Sequence, residues 1–287
     1  MLRGKLTYFL LLILSLSRYA EAQYVSPKLP EGELYTIEQG LTQTRINVSF
    51  IDSYGYLWIG TSDGLNRYDG YKFDSYRHQP QDTNSISNNF ITGITEDANR
   101  DLWISTNNGL NCFKREKGLF LRYMYTGADS FSFRSPAIYA VQSDDEGNIW
   151  VKTERHIEKL DPQTGRIESM PHYYDPNSSA MLEVNVSMVK DTNGELWFGT
   201  KDGLFRLDPE NRVLKHYFSE PGLEGGLNSN QIRTLFRDRT GELWIGTSRG
   251  ISKYDRINDR FIHYNYRGDG KSESGITINS LTEDQSG

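Results

Sequence analysis

The chain is poor in cysteine, in clustered basic residues and in long apolar runs. One cysteine, Cys112, stands among 287 residues. It can close no internal disulfide and has no metal-ligand partner at a zinc spacing, so the domain must be held by its own apolar core. Cys112 falls where other repeats carry Arg67 and Arg206, which reads as an ordinary strand thiol. No run of Lys and Arg occurs and the net charge is −6, which excludes the electrostatic footprint of a nucleic-acid binder. Of His78, His156, His172, His216 and His263, no pair has the spacing of a helical zinc site, and no carboxylate pair for sugar cleavage can be picked out. No catalytic residue, metal or cofactor is expected, and an acidic chain of this kind suits a neutral ligand or another protein.

The one apolar run lies at the start. Arg3 and Lys5 precede Leu6 to Ser17, and Ala20-Glu21-Ala22 follows. Basic, apolar and small-residue segments in that order read as a secretory signal peptide over residues 1–22, with the mature chain beginning near Gln23. The alternative is an uncleaved anchor, for which the run is short against the ~20 residues a spanning helix needs.

What is present is periodic. Trp58, Trp103, Trp150, Trp197 and Trp244 are all the tryptophans of the chain, and they recur every 45 or 47 residues. Around each stands Asp-x-x-Gly-x-Leu-Trp-Ile-Gly-Thr or a close copy, followed by Gly-Leu and, in the first copy, Tyr68-Asp69. The turn aspartates are Asp52, Asp97, Asp144, Asp191 and Asp238, and Asp284 opens a sixth copy. The units lie near 40–73, 86–123, 135–172, 182–218 and 228–264, with a fragment at 277–287. Each reads as four short strands, rich in the aromatic and β-branched residues of pleated sheets. A four-stranded sheet of this size must stack on its neighbours. The expected fold is therefore all-β, a β-propeller of four-stranded antiparallel blades, with five complete repeats and partial ones over residues 23–287.

Within this scheme the tryptophans are expected to pack between blades, the rival role being stacking on a ligand. The aspartates are expected to cap turns, since one per blade is too scattered for a shared calcium ion. The small residue after Trp-Ile (Gly60, Ser105, Gly199, Gly246) is expected to let blades approach. Residues 33–38 read as an orphan fourth strand that would complete the last blade. The acidic trio Asp144-Asp145-Glu146 is expected to be solvated.

These phrases resemble the two-component regulator propeller repeats, over residues 33–287. The resemblance implies the periplasmic sensor region of a hybrid two-component histidine kinase of the Bacteroidetes type. It implies seven blades, hence a truncated propeller here, and further a second propeller, a β-sandwich, a membrane helix and a kinase core, with a homodimeric receptor. The implied ligands are oligosaccharides from polysaccharide breakdown. Two rival readings remain, a secreted scaffold for protein contacts and a propeller glycosidase or lyase.

The third repeat breaks the pattern, with Lys152 after Trp-Val and His156 in place of a turn glycine. Such rule-breaking marks either a functional site or drift. The turns joining second and third strands should share one end of the propeller with the connections between blades. Asn89, Asn107, Asn108, Arg155, His156, Lys201 and Arg249 fall there and are the candidate ligand-binding residues.

Overall fold

The computed structural model describes residues 35–127, 130–153, 156–170, 187–220, 222, 224–264 and 276–283. The leader at 1–22, Arg155, His172 and Asp284 lie outside them. Among the described residues there are five sheets of four antiparallel strands, each a simple meander in which every strand pairs with the next. Blade 1 is β1 (Ile46–Ile51), β2 (Leu57–Thr61), β3 (Gly64–Tyr68) and β4 (Phe73–Tyr76). Blade 2 is β5 (Ile91–Glu96), β6 (Leu102–Thr106), β7 (Gly109–Lys114) and β8 (Leu119–Tyr123). Blade 3 is β9 (Ile138–Ser143), β10 (Ile149–Thr153), β11 (Ile157–Leu160) and β12 (Ile167–Ser169). Blade 4 is β13 (Met188–Lys190), β14 (Leu196–Thr200), β15 (Gly203–Asp208) and β16 (Val213–Tyr217). Blade 5 is β17 (Ile232–Arg237), β18 (Leu243–Thr247), β19 (Gly250–Asp255) and β20 (Arg260–Tyr264). The first strands of successive blades lie side by side. This is the expected β-propeller.

The core consists of the joints between blades. Trp58 of blade 1 clusters with Ile91, Ile94, Leu102, Ile104 and Phe113 of blade 2. Trp103 joins Ile138, Val141 and Leu160 of blade 3, Trp150 joins Leu196, Phe198 and Leu207 of blade 4, and Trp197 joins Leu235, Ile245 and Tyr254 of blade 5. Four of the indoles, those of Trp58, Trp103, Trp197 and Trp244, also meet a tyrosine of their own outer strand, as in the stacked pairs Trp58–Tyr76 and Trp197–Tyr217 at 5.8 and 5.6 Å. Packing, as expected, is what these residues do. The close approach is also as expected. A Cβ on Gly60 would lie 2.5 Å from Ile91 Cγ2 and 2.6 Å from Val48 Cγ1, so only hydrogen fits.

Two expectations need correction. Residues 37–39 form a 3-10 helix, not a strand. Thr36 and Gln39 close a reciprocal capping box, which satisfies locally the backbone groups that a strand would offer to a partner sheet. Tyr35 then packs on Tyr68 and Phe73 of blade 1, with its hydroxyl 2.7 Å from that of Tyr68. Of the acidic trio, Asp145 and Glu146 are exposed as expected, but Asp144 is not. Asp144 is buried, and Glu146 pairs with Lys190 of the next blade at 2.5 Å. Beyond blade 5, Ile278 donates its amide to Thr247 O, but residues 276–283 form no strand.

Candidate functional site

At one end of each blade the first and second strands are joined by the aspartate turn, and all five copies are clamped alike. Asp52 Oδ1 accepts the amides of Tyr54 and Tyr56, both at 2.9 Å, and Oδ2 accepts Trp58 Nε1 at 2.6 Å. The indole N–H meets the turn aspartate again at Trp103, Trp150, Trp197 and Trp244, at 2.7 to 2.8 Å. The aspartate therefore fixes its turn and also relieves the one polar group of the buried indole. Turn capping was legible in the sequence. The indole bond was not, although the constant six-residue offset between Asp and Trp was its signal.

Some clamps are tied to the next blade by a cation. Arg115 follows β7 and pairs with Asp52 at 2.9 Å and with Glu96 at 3.0 Å. Arg256 follows β19 and pairs with Asp191 at 2.6 Å and Glu195 at 3.1 Å. Burial alone would raise the Asp52 and Asp191 carboxyls. The indole and guanidinium donors outweigh it and hold both below the usual range. Among the described residues, no group of three His, Cys, Asp or Glu could hold a metal ion.

The other end carries the turns between second and third strands. Thr61 Oγ1 donates to Gly64 O and accepts the Asp63 amide, and Thr106, Thr200 and Thr247 repeat this. The connections between blades run beside these turns: Gly64 N donates to Asn89 O, and Gly109 N donates to Pro136 O. The shared end is thus as expected. The candidates there differ in freedom. Asn89 is committed at both ends of its amide, accepting from His78 N at 2.7 Å and donating to Asp63 at 3.4 Å. Asn107, Asn108, Lys201 and Arg249 are exposed on the tips of blades 2, 4 and 5, and His156 is half-buried.

Blade 3 departs from its neighbours on the face turned toward blade 2. The residue after the first Leu or Ile of each third strand lies opposite an outer-strand residue: Asn66 and Ser75, Asn111 and Arg122, Glu158 and Ser169, Phe205 and His216, Ser252 and His263. In blade 2 this space is filled. Asn111 accepts Ser87 N at 2.9 Å, while Arg122 donates to Ser85 O, Asp82 O and Ser85 Oγ at 2.7, 2.7 and 2.6 Å. In blade 3 the short Ser169 leaves a cavity of about 290 Å³. Its floor is Glu158, 1% exposed, whose two oxygens accept, among the described residues, only the Arg134 amide, at 3.2 and 3.3 Å. Burial pushes the Glu158 carboxyl up to about 7. Ser130, Arg134, Arg166 and Glu168 line the walls. Sequence reasoning singled out this repeat for Lys152 and His156 and missed Glu158. The available signal was a carboxylate at a position that is Asn, Phe or Ser in every other blade.

Lys152 is also fully buried, on the opposite face, with Nζ 5.6 Å from the Tyr139 ring centre. Cys112, buried in β7, has its thiol pushed up to about 12 by burial, in keeping with an inert strand residue.

Five clamped, mutually covering sheets define a β-propeller made from one repeated sequence unit. The family model for the two component regulator propeller matches residues 40–63, 85–108 and 226–249. The three matched stretches each span the aspartate turn and the tryptophan strand of one blade, in blades 1, 2 and 5. Histidine kinase P4 of Formosa agariphila is 45% identical over 53 residues, which are 18% of this chain and 4% of the kinase. The extracellular domain of a hybrid two component system from B. thetaiotaomicron superposes with a TM-score of 0.65 at 29% identity, over 80% of this chain and 31% of that one. The chain is thus homologous to such extracellular domains and spans about a third of that solved structure. Virginiamycin B lyase from Staphylococcus aureus shares the fold, with a TM-score of 0.57 at 15% identity over 78% of this chain and 71% of the lyase. The fold by itself therefore does not separate sensors from enzymes.

Proposed function

We propose that this chain is the ligand-sensing outer region of a hybrid two-component histidine kinase, carried to the periplasm by the leader at residues 1–22. Its ligands are oligosaccharides from polysaccharide breakdown. The observation that supports this most is the 29% identity, over 80% of the chain, to the extracellular domain of a hybrid two component system. A ligand that prefers one arrangement of a homodimeric receptor biases the attached kinase by its differential affinity. Amides, hydroxyls and cations at the turn end, Asn107, Asn108, Lys201 and Arg249 among them, suit sugar hydroxyls.

Two experiments test this. Reading the frame downstream of Gly287 should reveal a membrane helix and a kinase core, and an immediate stop codon would remove the kinase. Calorimetry of the full receptor against a panel of oligosaccharides should give heat with one sugar class. Silence across the panel, with a protein partner recovered by cross-linking, would favour a scaffold.

A further inference from the structure

We propose that the blade 3 cavity is a binding site for a small hydroxylated carboxylate, such as a uronate. Its carboxylate would be taken by Arg134 and Arg166, and its hydroxyls by Glu158 and Ser169. The proposal names a site and a ligand class that the sensor reading leaves open.

Four observations carry it. The cavity, about 290 Å³, is at the small end of the ~300–1,000 Å³ usual for small-molecule sites. In the neighbouring blade 2 the equivalent space is occupied by the Arg122 guanidinium. Its floor is a buried carboxyl with a single amide donor, although a carboxyl offers about four acceptor positions. Its cations are uncommitted: among the described residues, neither the Arg134 nor the Arg166 guanidinium has an ion-pair partner. The wall carboxylate, Glu168, is instead engaged by Arg212 at 2.5 Å and Lys159 at 3.8 Å. Two free guanidiniums select an anion, and their fork geometry suits a carboxylate. The Ser130 and Ser169 hydroxyls and the carboxyl floor favour an anion that also carries hydroxyl groups.

The charges facing Glu158 set the pH response. The guanidiniums of Arg134 and Arg166 face it, Glu168 is paired with Arg212 and Lys159, and Glu158 is the group that changes near neutrality. Protonated, it can donate to the ligand. Ionised, it repels an anion.

The test is calorimetric titration of the full chain with D-glucuronate, D-glucose and acetate at pH 6 and pH 8. Glucuronate should bind at pH 6 and about tenfold more weakly at pH 8, as the protonated fraction of Glu158 falls. Glucose and acetate, each lacking half of the recognition, should bind far more weakly. Ser169→Arg, which places blade 2's residue in the cavity, should abolish binding. Should that variant fold poorly, the exposed double substitution Arg134→Ala/Arg166→Ala should abolish binding with the melting temperature unchanged. Glu158→Gln should bind equally at both pH values. No heat with glucuronate, glucose binding as well as glucuronate, or binding that survives the double substitution would overturn the proposal. No heat with glucuronate, alongside heat from a neutral oligosaccharide that persists in the double variant, would leave the sensor reading standing and this site refuted.

Discussion

Trp197 and Trp244 have the same sequence surroundings, the same aspartate bond and different fates. Trp197 is fully buried, because Tyr254 of blade 5 lies against it at 4.6 Å. Trp244 is only half-buried, because no sixth sheet covers it among the described residues. Its ring has Tyr264 of its own sheet at 5.4 Å and Lys253 at 6.0 Å, and nothing equivalent to Tyr254. The difference shows where propeller stability resides. A blade can make its own hydrogen bonds and its own turn clamp, but only the next blade removes its tryptophan from water.

Substitution in chemical denaturation of the whole chain should expose this asymmetry. Trp197→Ala should cost ~3–5 kcal/mol, as for large core aromatics, and Trp244→Ala ~2 kcal/mol, in proportion to its half burial. Equal losses would break the comparison. The clamps should follow the same order. Asp191→Ala strands both the Trp197 indole and Arg256 and should cost ~3–5 kcal/mol. Asp238→Ala strands a half-buried indole, its carboxylate having no ion-pair partner among the described residues, and should cost ~1–2 kcal/mol.

Acidity sharpens the point. Asp52 and Asp191 have folded pKa values below their unfolded ones. Their stabilisation is present above the unfolded value near ~3.9 and is lost as pH falls through the lower folded values. Replacing Arg115 or Arg256 by Ala should therefore move the acid-unfolding midpoint to higher pH. Glu158 has the opposite sign. Its carboxyl is raised to about 7, so the fold is favoured below the unfolded value near ~4.3 and loses stability as pH rises toward 7, by ~3 kcal/mol in all. Glu158→Gln should flatten that slope, as read by thermal melts between pH 4 and 8. The smallest effect is a null: Cys112 should resist alkylation at pH 8 in the native chain and react once it is unfolded.

The architecture was legible because the repeat writes one packing problem five times. A tryptophan at fixed spacing, a small residue after it and an aspartate before it specify a blade and its contacts. Two kinds of feature were not legible. The segment at 37–39 matched a fourth strand by position, yet Thr36 and Gln39 satisfy its backbone within one turn, so local capping prevailed over the repeat pattern. The blade 3 cavity depends on two residues on different strands, Glu158 and Ser169, which are unremarkable one at a time. Only the strand register shows that a small residue faces a buried carboxyl where Arg122 faces Asn111 in the preceding blade. Asn89 is a weak ligand candidate for a different reason, since its side chain already braces His78 and Asp63.

The most direct measurement is solvent exchange of the five indole N–H groups, followed by NMR on the whole chain. Each is hydrogen-bonded to its aspartate, so the bond alone cannot separate them. If burial by the following blade is what protects them, Trp58, Trp103, Trp150 and Trp197 should exchange slowly and Trp244 markedly faster. Five equal rates, or slowest exchange at Trp244, would contradict the account.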